Sequence, residues 1–102
     1  MVIMSYAALR DFIKTYPDSA SGLEDWYRKT KVADWKNLSE LRQTFNSADY
    51  VGNERVVFNI SGNRYRLIAS VLYSIRTVFI KFIGTHTAYD AVDSSTVEHL
   101  KK

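Results

Sequence analysis

The sequence predicts an α+β domain: an antiparallel sheet with two N-terminal helices on one face and a short C-terminal helical segment. Three observations carry that prediction. Apolar residues recur at helical spacing through about residue 44 and with a period of two from Arg55 onward. Three strand-like runs then follow one another, joined by reversals too short for a parallel crossover, so they form an antiparallel meander. With 102 residues, one proline and no repeat or linker, residues 1–102 read as a single domain.

Val2 to Met4 is a candidate N-terminal edge strand. Leu9, Phe12, Ile13 and Tyr16 fall at i, i+3, i+4 and i+7, the stripe of a helix that must stop at Tyr16 because Pro17 follows. Ser21 to Glu24 has capping-box spacing and is expected to open a second helix with Leu23, Trp26 and Tyr27 inward. Arg28, Lys29 and Lys31 then stand near its C-terminal end, where cations suit the macrodipole. A third helical piece is expected over residues 38–44, with Asn37 or Ser39 as its cap.

Val56, Phe58 and Ile60 alternate with Arg55, Val57 and Asn59, and residues 61–63 supply a glycine-containing hairpin reversal. Tyr65, Leu67, Ala69 and Val71 form one face of the next strand; Arg64, Arg66, Ile68 and Ser70 form the other. After a reversal at residues 73–75, a third strand runs from Thr77 to Ile83, with Phe79 and Lys81 on one face and Gly84 as its stop. Thr87 to Asp90 again has capping-box spacing and predicts the short C-terminal helix.

The net charge of +3 is unevenly placed. Residues 1–52 balance at seven basic and seven acidic side chains, and residues 53–102 hold seven basic against four acidic ones. From Arg55 to Tyr89 there is no Asp or Glu, while Arg55, Arg64, Arg66, Arg76 and Lys81 all fall there. A positive segment without internal partners is a candidate polyanion surface, although basic residues also serve to deter edge-to-edge pairing of sheets. No cysteine is present, which excludes disulfides, thiolate nucleophiles and sulfur-ligated zinc. His86 and His99 are the sole imidazoles and carry no metal-ligand spacing, so no metal or other cofactor is expected. No leader and no membrane span are legible either, and the expectation is a cytoplasmic protein.

With the helices on the Val56, Phe58 and Ile60 face, the polar groups are expected on the opposite, open side. Arg64 and Arg66 project together, Arg55 and Asn59 share a side of the neighbouring strand, and Lys81 interrupts an otherwise apolar run. Arginine offers phosphate a bidentate fork and lysine a point charge. His86 and Tyr89, three apart at the mouth of the last strand, add groups able to move protons near neutral pH. Together they suit phosphodiester cleavage; the plainer alternative is a capping turn with Tyr89 packed at the sheet edge.

The block from Arg55 to Leu67, the block from Val78 to His86, and Tyr89-Asp90 together resemble the HigB branch of the RelE-type toxins, and so do residues 33–35 and 47–52. The resemblance runs from about Trp26 to Val92. It implies a RelE-like fold with the nuclease site on the sheet face away from the helices. It also implies a type II toxin that cleaves mRNA on the translating ribosome and is neutralised by a helix-turn-helix antitoxin of the HigA type. Arg66 matches the family's strand arginine, Lys81 a basic position on the next strand, and His86 and Tyr89 the Thr-His and Tyr-Asp element. These four are the candidate catalytic residues. Arg55, Asn59, Asn63, Arg64 and Arg76 are candidates for RNA binding, the two asparagines matching the family's block. The paired lysines of some RelE toxins and the internal histidine of another subgroup are absent. The expected function is a metal-independent mRNA endonuclease; the alternative is a non-catalytic RNA-binding or interaction module that still binds an antitoxin.

Overall fold

The apolar stripe of the first helix becomes α1 (Tyr6–Thr15), with Leu9 fully buried and Phe12 and Ile13 half-buried beside it. Tyr16 leaves the helical region, as the following proline requires, and residues 17–19 form a single 3₁₀ turn. That turn feeds α2 (Ala20–Val32) directly, so Ser21 lies inside the helix and the expected capping box does not form. α3 (Leu38–Thr44) is capped as the sequence suggests, the Asn37 side chain accepting from the Glu40 N–H at 3.0 Å. The computed structural model describes residues 1–98. His99 lies outside the described residues.

Among the described residues five strands form one sheet: β1 (Val2–Met4), β2 (Asp49–Tyr50), β3 (Arg55–Ile60), β4 (Tyr65–Leu72) and β5 (Thr77–Thr85), in the order β1-β5-β4-β3-β2. The expected meander is β3-β4-β5, antiparallel throughout. β1 is the expected edge strand and pairs parallel with β5, which makes the sheet mixed. β2 adds an outer strand against β3 that its two residues were too few to announce. Gly84 does not stop β5, which runs on to Thr85. The short α4 (His86–Asp90) is consequently capped by Thr85, whose Oγ1 accepts from the Ala88 N–H at 3.1 Å, and not by Thr87.

Alternation divides the sheet into two faces. Val56, Phe58, Leu67, Ala69, Val78 and Ile80 bury the inner face against Leu9, Leu23, Trp26 and Leu41 of the helices. Each large apolar side chain so buried contributes about 1.5–3 kcal/mol. Trp26 and Phe45 both meet the Phe58 ring edge-on, at 5.5 and 5.3 Å between centroids. Gly22 brings α2 down onto the β3–β4 turn: a Cβ there would stand 2.6 Å from Ser61 Oγ and 2.9 Å from the Ser61 nitrogen.

The outer face is layered. Across β3, β4 and β5, Asn59 is aligned with Arg66 and Gly84; Val57 with Ile68 and Phe82; and Arg55 with Ser70 and Phe79. The middle row is apolar, and Val51, Tyr89, Val92 and Val97 pack on it as a second small core. The outer face is therefore not an open cationic platform. A hydrophobic bar with its own cover separates two polar rows.

Candidate active site

The first polar row lies where β5 hands over to α4. Arg66 projects from β4 between Asn59 and Gly84, and its guanidinium lies over the Tyr89 ring, 5.0 Å from the centroid. α4 is fixed there at its start: besides the Thr85 cap, the His86 N–H donates to the Arg64 carbonyl at 3.2 Å. The helical spacing of three then sets His86 and Tyr89 on neighbouring positions of the turn. Asp90 Oδ2 lies 3.3 Å from His86 Nδ1 on the next turn, and the imidazole is half exposed. Gly84 matters by what it lacks, since a Cβ there would be 2.5 Å from Phe82 Cζ and 3.2 Å from the Ala88 Cβ.

Arg66 is also distinguished by charge. The acid-free run from Arg55 to Tyr89 receives carboxylates from elsewhere in the fold: Asp18 pairs with Arg64 at 2.9 Å, Asp34 with Arg76 at 2.9 Å, and Glu98 with both Arg55 and Lys81. Among the described residues Arg66 alone of these five cations has no acidic partner, and its Nε is buried without a hydrogen bond. The expectation of a run without counter-ions is thus corrected, with Arg66 as the exception. Sequence-local charge is balanced by contacts that only the folded chain makes.

The remaining candidates divide. Asn59 shares the Arg66 row, whereas Asn63 sits exposed in the β3–β4 turn. Arg64 is solvent-exposed beside Asp18, which also accepts from the Tyr65 hydroxyl. Arg76 stands at the opposite end of β5, in the turn before Thr77, with a left-handed φ of 53°. Lys81 is not beside Arg66. It has no register partner, since Ile80 aligns with Ala69 and Phe82 with Ile68, and this bulge leaves it on the far side of the apolar bar. There its ammonium lies 5.8 Å from the Phe79 ring and 3.4 Å from Glu98 Oε1.

Arg55 departs furthest from expectation. It is only 4% exposed, its Nη1 donating to the Val97 carbonyl and its Nη2 to Glu98 Oε2, both at 2.5 Å. It is a buried cation under the C-terminal segment, not part of an exposed surface. Burial pushes the Glu98 carboxyl up, but the Arg55 hydrogen bond and the Lys81 charge outweigh that, and its pKa lies below the ordinary value. Asp90 stood in the sequence as part of the Tyr-Asp element, without a role of its own, and Glu98 carried no signal as a site residue, because a lone acid resembles any solvated one. Among the described residues no three His, Asp or Glu side chains gather in a way that could hold a metal ion. No helix among them is long and apolar enough to cross a membrane.

The sheet carries α1, α2 and α3 on one face, and at one end of the other it brings together Arg66, without an acidic partner among the described residues, the Tyr89 ring and the His86 imidazole. The chain belongs to the HigB toxin family. The family model described as HigB_toxin, RelE-like toxic component of a toxin-antitoxin system, matches residues 19–92. The chain is 32% identical over 92 residues to an mRNA interferase HigB of Escherichia coli O6:H1, covering 88% of this chain and 89% of that one. It is 28% identical over 93 residues to the mRNA interferase toxin HigB of Escherichia coli K12 and to the mRNA interferase HigB of Shigella flexneri, covering 88% of each chain.

Proposed function

We propose that this protein is the mRNA-cleaving toxin of a toxin–antitoxin pair, acting in the cytoplasm on translating ribosomes without a metal ion and restrained by a HigA-type helix-turn-helix antitoxin. The observation that carries the reading is Arg66: a cation with no acidic partner among the described residues, held on the Tyr89 ring at the end of the sheet that carries His86. The names of the relatives support mRNA as the substrate.

The reaction is transesterification within the RNA. The 2′-hydroxyl oxygen bonds to the adjacent phosphorus as the bond from phosphorus to the 5′-oxygen breaks, leaving a cyclic phosphate and a free 5′-hydroxyl. Arg66 stabilises the additional negative charge on the phosphoryl oxygens. His86 and Tyr89 share the proton transfers, one taking the 2′-hydroxyl proton and the other supplying the 5′-oxygen. Asp90, against Nδ1, orients the imidazole.

Arg66→Ala and His86→Ala are each expected to lower cleavage of a reporter mRNA on translating ribosomes by about 100-fold or more and to abolish growth arrest on induction. Both variants should keep their wild-type circular dichroism. Full toxicity in both folded variants, or RNA binding by the wild type with no cleavage, overturns the reading.

A further inference from the structure

The second polar row of the outer face holds an arrangement that the cleavage site does not use. Arg55 and Lys81, from strands β3 and β5, converge on the two oxygens of one carboxylate, Glu98 Oε2 at 2.5 Å and Oε1 at 3.4 Å. The carboxylate thus bridges one Nη of Arg55 and the Lys81 ammonium, the other Nη donating to the Val97 carbonyl, and an oxyanion held between two such cations is also how proteins hold a phosphate. We propose that Arg55 and Lys81 form a second anion site, for a backbone phosphate of single-stranded RNA, and that the Glu98 carboxylate occupies it as an internal competitor carried on a strap, residues 93–98. The identity of the ligand rests on the RNA reading above; the presence of a competed anion site does not.

Three features set this arrangement apart from an ordinary structural ion pair. Arg55 is nine-tenths buried, yet its Nε has no hydrogen-bond partner, so the site leaves a donor of the guanidinium unused. A buried cation costs more than an apolar residue of similar size would, and stability alone gives no reason to keep one in the Val57–Ile68–Phe82 neighbourhood. The strap also has the build of a part that lifts. It is a compact turn closed on itself, with the Ser95 N–H and hydroxyl both donating to Asp93 Oδ1. Its hold on the domain is the Asn53 side chain on the Ser95 carbonyl at 2.8 Å, the Arg55 and Lys81 contacts, and Val97 on the apolar row. The Asn53 and Lys81 bonds are exposed and Val97 is the strap's one apolar anchor on that row, features of the low-stability end of a fold, so the part-buried Arg55 bonds are its main hold. The strap lies beyond residues 19–92, the stretch that the family model matches.

The test is binding of a 2′-O-methyl RNA hexamer, which lacks the attacking hydroxyl and reports binding without chemistry. Two variants loosen the strap by different routes. Glu98→Gln removes the competing charge. Asn53→Gly removes the outer anchor without changing charge and suits the left-handed φ of 55° at that position. If the strap is closed in nine molecules of ten, each variant binds the hexamer up to about tenfold more tightly than the wild type. In a Lys81→Gln background, which leaves Arg55 alone in the site, the gain from Glu98→Gln shrinks. Glu24→Gln, the same change of charge on α2, should bind as the wild type does. Equal affinity in the wild type and both strap variants overturns the proposal, as does a Glu98→Gln gain that persists undiminished in the Lys81→Gln background. Failure of the wild type to cleave mRNA would overturn the nuclease reading alone, since the hexamer reports on the anion site independently.

Discussion

Gly84→Ala offers a stringent test of how the site is held. The added Cβ would stand 2.5 Å from Phe82 Cζ, 2.8 Å from Cε2 and 3.2 Å from the Ala88 Cβ. Carbon atoms pack best at about 3.5–4.0 Å, so the ring must retreat by roughly 1 Å. It has nowhere easy to go: Phe82 is 2% exposed and packed with Val57 and Ile68. Overpacking of this kind costs about 1–3 kcal/mol, and for a domain of this size a 2 kcal/mol loss lowers Tm by roughly 8–16 °C. The Ala88 contact pushes on α4, which carries His86 and Tyr89, and displacement of catalytic groups by about 1 Å can cost on the order of 100-fold in rate. Urea unfolding followed by fluorescence of the buried Trp26 and Trp35 measures the first effect, and primer extension on a cleaved reporter mRNA the second. Phe82→Leu removes the two ring atoms the new methyl meets. Gly84→Ala with Phe82→Leu should therefore be more stable than the sum of the single effects by about 1 kcal/mol or more. Additivity in that cycle, or a Gly84→Ala protein that melts and cleaves like the wild type, would refute the argument.

Two further predictions follow from the same geometry. Thr85→Ala removes the α4 cap and should cost about 1 kcal/mol while depressing cleavage more than stability, whereas Thr87→Ala should be close to neutral in melting and cleavage assays. Asp25, Asp34, Asp93 and Glu98 all have carboxyl pKa values below the ordinary range: Lys29 hydrogen-bonds Asp25, Lys36 hydrogen-bonds Asp34, the Ser95 hydroxyl hydrogen-bonds Asp93, and Arg55 with Lys81 overcome the burial of Glu98. A depressed folded pKa contributes stability that is present above the unfolded value and lost as pH falls through the folded one. Tm should therefore drop on acidification below about pH 4.5, and drop less in Glu98→Gln, which a thermal melt series reads directly.

The elements legible in the sequence are those whose pattern is enforced by one buried face. β3 and β4 alternate because Val56, Phe58, Leu67 and Ala69 must all face the helices, and a slip of one residue would expose every one of them. β2 gave no pattern because two residues cannot show a period. Gly84 reads as a stop in isolation, but here it is the close-approach residue that lets the Phe82 ring lie beside the strand. Ser21 and Thr87 have capping-box spacing without capping, because the 3₁₀ turn at 17–19 and the extra length of β5 start each helix earlier. In the candidate site, the Arg66 and Tyr89 pairing follows from a strand and a turn that were both legible. The fate of Arg55 and Lys81 was not, because Glu98 lies 43 and 17 residues away and nothing local announces it.

The layering of the outer face bears on how binding and chemistry divide. Along β3, Asn59 and Arg55 are four residues apart, about 13 Å at strand rise, with the covered Val57 row between them. An RNA strand reaching from Arg66 to the Arg55 and Lys81 pair must cross that bar and displace Glu98. The Arg66 end needs no such displacement, since among the described residues no acid pairs with its guanidinium. Loosening the strap should accordingly act on Kd and leave the rate at saturating RNA unchanged, whereas loss of Arg66 should act on kcat. A Glu98→Gln protein with altered kcat at unchanged Kd would place the strap in the chemistry and collapse the distinction between the two sites.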